Sequence, residues 1–89
     1  MNQIQQIEIK LKLYASLAGY LPQVEQRHSV EIQISFDDTP HQVLERFNLP
    51  REMVHLVLLN GVYLEPAERD RAVFHNGDVL AIWPPVAGG

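Results

Sequence analysis

The stretch that decides the fold is Ile7-Glu8-Ile9-Lys10-Leu11-Lys12-Leu13. Its apolar residues occupy every second position, and charged residues lie between them. This period of two is typical of a β-strand that turns one face to the protein core and the other to solvent. The prediction is a half-buried strand, whose apolar face the rest of the chain has to cover.

The periodicity changes directly after this strand. Residues 14–21 carry apolar side chains at spacings of three and four, which predicts a short helix that ends before Pro22 because proline cannot continue the hydrogen-bonded turns. The polar residues 23–29 are predicted to form an exposed loop. Alternation returns in residues 30–35 and predicts a second strand.

The segment 39–42 has the composition of a helix start. Thr39 can accept hydrogen bonds from free backbone amides, Pro40 has a helical φ at the first position, and Gln42 can complete a capping box. We therefore predict the main helix from Pro40 onward. Its predicted core-facing residues are Val43, Leu44 and Phe47.

Three more strands are predicted in the C-terminal half. An apolar run at 54–59 is connected by Asn60-Gly61 to a short return strand at 62–64, since both central residues of a type I′ turn need positive φ. Residues 79–83 form the last predicted strand. Leu58 and Phe74 are predicted to belong to the core.

A charged segment at 65–71 separates these strands. It is predicted to be irregular and solvated, with docking of a partner as the less favoured alternative. Its charged residues are Glu65, Glu68, Arg69, Asp70 and Arg71.

The element order is strand, short helix, strand, helix, strand, short strand, strand. One sheet with helices on its single buried face suits a small chain. The predicted fold class is α+β, a ubiquitin-like β-grasp with a mixed sheet of four to five strands and with one main helix and one short helix on one face. Residues 1–83 are predicted to form the domain and residues 84–89 an extended tail. Element order alone also allows other α+β folds.

Composition excludes several classes of function. The 89 residues include no cysteine, which rules out disulfides, thiolate zinc sites and a cysteine nucleophile. The formal net charge of −4 and the scattered basic residues argue against a nucleic-acid partner. The four histidines lack metal-ligand spacing, so no metal site is predicted. We expect no signal peptide and no membrane partner, and a cytoplasmic location.

The C-terminal segment carries the most specific signal. It reads Asn76-Gly77-Asp78-Val79-Leu80-Ala81-Ile82-Trp83-Pro84-Pro85-Val86-Ala87-Gly88-Gly89. This segment resembles the C-terminus of the small, sulfur-carrying subunit of molybdopterin synthase, which has a Gly-Asp turn, an apolar strand, a Pro-Pro-Val-small step and a terminal Gly-Gly. The opening strand and the Asn60-Gly61 turn are also similar. Two departures are Ile82, where the family often has a second aromatic, and Asn76, where it usually has Asp.

The resemblance implies that the chain has no catalytic residues of its own and binds no cofactor. A ubiquitin-activating-like adenylyltransferase would use ATP to adenylate Gly89, and a sulfur donor would convert it to a thiocarboxylate. The tail would then enter the large catalytic subunit of a heteromeric molybdopterin synthase. Gly88 would thread the tail into the narrow site, because glycine has no Cβ. The residues expected to contact partners are Trp83, Pro84, Pro85, Val86 and Ala87.

Tail composition is compatible with this role. Pro84 and Pro85 restrict φ and so reduce the entropy lost when the tail is inserted into a partner. The six residues that start at Pro84 span about 20 Å when extended.

Two other classes of function remain open at the level of sequence. The first is a ubiquitin-like modifier joined through Gly89 to lysines of target proteins. The second is a sulfur carrier for thiamine, cysteine or tRNA thiolation, although the thiamine carrier lacks the Pro-Pro step. All three need the same activation of the terminal carboxylate, so the tail does not discriminate between them.

Overall fold

The computed structural model describes residues 5–21 and 29–86. Its strands are β1 (Gln6–Leu13), β2 (Ser29–Ser35), β3 (Leu56–Leu59), β4 (Val62–Tyr63) and β5 (Val79–Trp83). They form one sheet in the order β2-β1-β5-β3-β4. The β1–β5 pair is parallel and the other three pairs are antiparallel. This mixed five-stranded sheet confirms the predicted β-grasp.

The central strand β1 organises the core. Its alternate residues Ile9, Leu11 and Leu13 are at most 1% exposed, which confirms the face assignment from sequence. They pack with Val43 and Leu44 of the main helix, α1 (Pro40–Arg46). The apolar period of β1 and the stripe of α1 therefore determine which face of the sheet is covered.

The start of α1 has the predicted capping box. The Thr39 side chain accepts a hydrogen bond from the Gln42 backbone N–H at 3.2 Å, and the Gln42 side chain accepts one from the Thr39 N–H at 2.8 Å. Pro40 occupies the first turn and is buried. The local sequence was sufficient to locate this end of the helix.

Three short 3₁₀ helices accompany α1 in the described residues: Ala15–Tyr20, Arg51–Met53 and Pro66–Asp70. The first confirms a short helix after β1, in the tighter 3₁₀ form. The third contradicts the prediction of an irregular segment at 65–71. It forms because Pro66 restricts φ at the first position and the Glu68 side chain accepts a hydrogen bond from the Glu65 N–H at 3.0 Å.

The prediction that Leu58 belongs to the core was wrong. Strand β3 begins at Leu56 rather than at residue 54, and Val57 is the fully buried member of the strand. Leu58 pairs with Ala81 on the opposite, outer face of the sheet. A continuous apolar run has no period that distinguishes its two faces. Phe74 is 5% exposed, so its core assignment is confirmed.

The turn between β3 and β4 is confirmed in detail. Asn60 and Gly61 have φ values of 51° and 83°, as a type I′ turn requires. The Asn60 side chain also accepts a hydrogen bond from the Val79 N–H at 2.8 Å and donates one to the Asp78 carboxylate at 2.9 Å. One residue thus closes the hairpin and positions the start of β5.

Candidate functional site

The C-terminal tail leaves the sheet at a defined point. β5 ends at Trp83, whose carbonyl accepts a hydrogen bond from the His55 N–H at 3.0 Å. The preceding carbonyl, of Ile82, accepts one from the Tyr14 N–H at 3.1 Å. Pro84 and the proline after it have no N–H, so they cannot continue the ladder. We call this end of β5 the tail exit.

The Trp83 side chain is held at the tail exit by an aromatic contact. Its ring stacks on that of Tyr14, with centroids 4.3 Å apart and planes inclined by 6°. Both residues are half-buried. A stacked pair contributes about 0.5–1.5 kcal/mol beyond its buried area. From sequence, Trp83 was expected at an interface, whereas Tyr14 was expected only to belong to the short helix.

Beyond the tail exit, Pro84 is half-buried, while Pro85 and Val86 are exposed. Val86 is 77% exposed, which is unusual for a valine. Ala87, Gly88 and Gly89 lie outside the described residues, so the partner contact predicted for Ala87, the threading predicted for Gly88 and the adenylation predicted for Gly89 stay predictions.

The outer face of the sheet is apolar next to the tail exit. Register places Leu56 opposite Trp83 and Leu58 opposite both Ala81 and Tyr63. We call these five residues the outer patch. Tyr63 is 45% exposed and Ala81 is 8% exposed, while Leu56, Leu58 and Trp83 are half-buried. The patch is continuous with the tail, and both are apolar, which makes them a candidate partner-binding surface.

Comparison with known protein families decides what kind of chain this is. The model of the ThiS family matches residues 4–89, which include the whole sheet and the tail. The chain belongs to the ThiS family. The match confirms the resemblance to the ubiquitin-like, β-grasp sulfur carriers that was inferred from the C-terminal segment. Among curated proteins, none matches the chain significantly.

Solved structures share the fold of this ThiS-family chain. The Haloferax volcanii HVO 2177 protein superposes with a TM-score of 0.73 at 23% identity, over 94% of this chain and 88% of the other. SAMP1 from the same organism has a TM-score of 0.63 at 26% identity, over 92% and 99%. Small archaeal modifier protein 1 (SAMP1) from Methanosarcina acetivorans has a TM-score of 0.67 at 19% identity, over 96% and 99%.

Arg69 requires a second correction to the expectation for residues 65–71. Only 5% of the surface of Arg69 is exposed to solvent, so this residue does not belong to a solvated charged loop. Its Nε donates to the Leu64 carbonyl at 3.1 Å, and its guanidinium lies 5.7 Å from the centre of the Tyr63 ring. Nothing in the local sequence distinguishes this arginine from its exposed neighbour Arg71, because its partners come from other elements.

The shortest hydrogen bond between two side chains of the described residues joins α1 to the third 3₁₀ helix. His41 Nδ1 and Asp70 Oδ1 are 2.7 Å apart. The hydrogen bond from His41 holds the pKa of Asp70 below its ordinary value, with smaller coulombic contributions from His41 and Arg51. This perturbation has a structural cause in the packing of two helices, so it does not indicate a catalytic acid.

Within residues 5–21 and 29–86, no three His, Cys, Asp or Glu side chains converge to hold a metal ion. In the same part of the chain, no helix has the length and apolarity that crossing a membrane requires.

Proposed function

We propose that this ThiS-family chain is a sulfur carrier for molybdopterin, the organic part of the molybdenum and tungsten cofactors. The supporting observation is that β5 ends at Trp83, beside the apolar outer patch, and is followed in the sequence by Pro84-Pro85-Val86-Ala87 and then Gly88-Gly89. The chain acts as the cytoplasmic carrier subunit of a heteromeric synthase. It binds no cofactor of its own, and ATP is used by its activating enzyme.

The chemistry proposed for Gly89 proceeds in two balanced steps. A carboxylate oxygen of Gly89 attacks the α-phosphorus of ATP, which forms the acyl adenylate and releases pyrophosphate. A sulfide-equivalent donor then attacks the carbonyl carbon, AMP leaves, and the product is the thiocarboxylate. Activation is necessary because a free carboxylate has no good leaving group. The base and the nucleotide contacts come from the adenylyltransferase, and the large synthase subunit holds the pterin precursor.

Intact-mass spectrometry tests this proposal directly. Incubation with an adenylyltransferase of this class, ATP and a sulfide source should replace one terminal oxygen by sulfur, with the corresponding gain in mass. The enzyme must first be shown to activate its own carrier. If that enzyme gives neither an adenylate nor the sulfur-containing product with this chain, the proposed function is wrong.

The second candidate is a ubiquitin-like modifier, in which the acyl adenylate is captured by a lysine amine of a target protein. It is favoured by the fold shared with SAMP1, a structure described as a small archaeal modifier protein. Pull-downs from the native cell should separate the candidates. A stable non-covalent partner of synthase-subunit size supports the carrier. A ladder of isopeptide-linked proteins that disappears on deletion of Gly89, without such a partner, supports the modifier.

Val86→Asp is expected to weaken capture by the large synthase subunit by about tenfold or more, or ~1.4 kcal/mol. The reason is that a carboxylate would be buried in the interface without a partner. Val86 is 77% exposed in the free chain, so folding should be unaffected. Titration calorimetry with the purified subunit measures the change.

Val62→Asp is the matched control for this prediction. Val62 is 67% exposed, lies in β4, and pairs with Leu59 rather than with residues of the outer patch. Its replacement should leave capture within about twofold of wild type. Equal weakening by the two variants would show that capture responds to net charge and not to contact with the tail.

A further inference from the structure

Arg69 is a buried cation without an acidic partner among the described residues. In that part of the chain, Asp70 contacts His41 and Arg51, and Glu45 contacts Arg51. None of these contacts between acidic and basic side chains includes Arg69. Its guanidinium instead contacts two backbone carbonyls and one aromatic side chain, that of Tyr63, through both the hydroxyl and the ring. Burying a charge is costly unless it is hydrogen-bonded, so these contacts determine where the side chain can lie.

The contacts of Arg69 lead to the tail exit. Its Nη2 donates to the His55 carbonyl and to the Tyr63 hydroxyl, each at 3.4 Å. The backbone N–H of His55 is the donor to the Trp83 carbonyl at 3.0 Å. His55 is therefore held at both ends, by Arg69 at its carbonyl and by Trp83 at its amide. His55 directly precedes β3, and its hydrogen bond to Trp83 is the last one between this segment and β5 before Pro84.

We propose that Arg69 is a positioning residue for the C-terminal tail and acts through His55. The guanidinium holds the carbonyl of His55, and the N–H of the same residue donates to the Trp83 carbonyl from which the tail departs. A fixed departure point reduces the conformational freedom that is lost when the tail enters an activating enzyme. The fork geometry matters because Nε and Nη2 serve carbonyls of two different segments, Leu64 and His55, at the same time.

Amide hydrogen exchange tests the positioning without any partner protein. In Arg69→Met, exchange of the His55 N–H should accelerate about tenfold relative to the Phe36 N–H. The Phe36 amide is a suitable internal reference because it bonds to Gln5 beside the β1–β2 pair, two strands away from β3. Arg71→Met is the matched control, since Arg71 is exposed and its replacement should leave the ratio unchanged. If His55 does not accelerate, or if His55 and Phe36 accelerate equally, the positioning role is refuted.

The second measurement rests on the proposed function and uses the adenylation reaction. Arg69→Met should raise KM for the carrier about three- to tenfold and leave kcat within about twofold, because a disordered tail affects binding more than the bound chemistry. If Arg69 had a purely structural role, its replacement would lower Tm but would not raise KM selectively while kcat stayed unchanged. An unchanged KM alongside an accelerated His55 amide would refute the link to activation.

Arg69→Lys provides a second variant in case Arg69→Met does not fold. Lysine keeps the charge but lacks the planar fork, so an exchange ratio between those of wild type and Arg69→Met is expected. A lysine variant identical to wild type in both measurements would refute the role of the fork. If wild type itself is not adenylated, the proposed function fails, and the exchange ratio alone decides whether Arg69 holds His55.

Discussion

Deletion of Gly88-Gly89 is expected to abolish adenylation and to leave thermal unfolding unchanged. Activation should be lost because the carboxylate that attacks ATP would be moved to Ala87, whose Cβ is expected to clash in the narrow partner site that we propose for Gly88 and Gly89. Stability should be retained because glycine has no side chain to bury. Pyrophosphate exchange measures the first quantity and calorimetry the second.

A chain extended by one alanine after Gly89 is the matched control for this deletion. It keeps every native residue and displaces only the reactive carboxylate, so it should be equally inactive and equally stable. A deletion that lowered Tm by several degrees would show that the tail packs into the fold. Activity in the extended chain would show that the carboxylate of Gly89 need not be the terminal group.

Leu11→Ala is expected to cost about 2–5 kcal/mol of unfolding free energy, through lost burial and the cavity left behind. Leu11 is completely buried at the centre of β1, between β2 and β5. A small domain has a stability of only about 5–15 kcal/mol, so this single change removes a large fraction of it. Urea denaturation at an unchanged m-value measures the loss.

Ile32→Ala is the matched comparison on the neighbouring strand. From the alternating pattern alone, truncation of Leu11 or of Ile32 is predicted to cost about 2–5 kcal/mol. In the structure Ile32 is only partly buried, in a strand at the edge of the sheet. Its truncation should therefore cost less than that of Leu11. Equal losses of unfolding free energy in the two variants would contradict the prediction that the cost follows the burial of Leu11 and Ile32.

The carrier and modifier hypotheses differ in the step after activation. Both require Gly89 to be adenylated, so the deletion experiment tests the shared step and not the choice between them. The choice depends on the group that receives the activated carbonyl, and the Val86 variant and the pull-downs examine that step. The chain has two lysines, Lys10 and Lys12, and both lie on β1 opposite β5 residues of the outer face.

Prediction from sequence succeeded where a local pattern has one physical solution. The alternation of residues 7–13 allows only one buried face, and positive φ at Asn60-Gly61 allows only a tight hairpin turn. Both hydrogen bonds of the capping box likewise form within four consecutive residues, between Thr39 and Gln42. Prediction failed at Leu58, because a run that is apolar at nearly every position does not indicate which residues face inward.

The sequence by itself therefore determined the order of the five strands, the first short helix and α1, the capped start of α1, and the proline step before the diglycine. Each of these depends on hydrogen bonds and dihedral angles of residues close together in the chain. Only the tertiary structure decided that the outer face beside the tail is apolar, and that Arg69 is buried against His55. Those arrangements depend on strand register and on contacts between residues far apart in sequence, since a side chain's surroundings are set by the elements that fold around it.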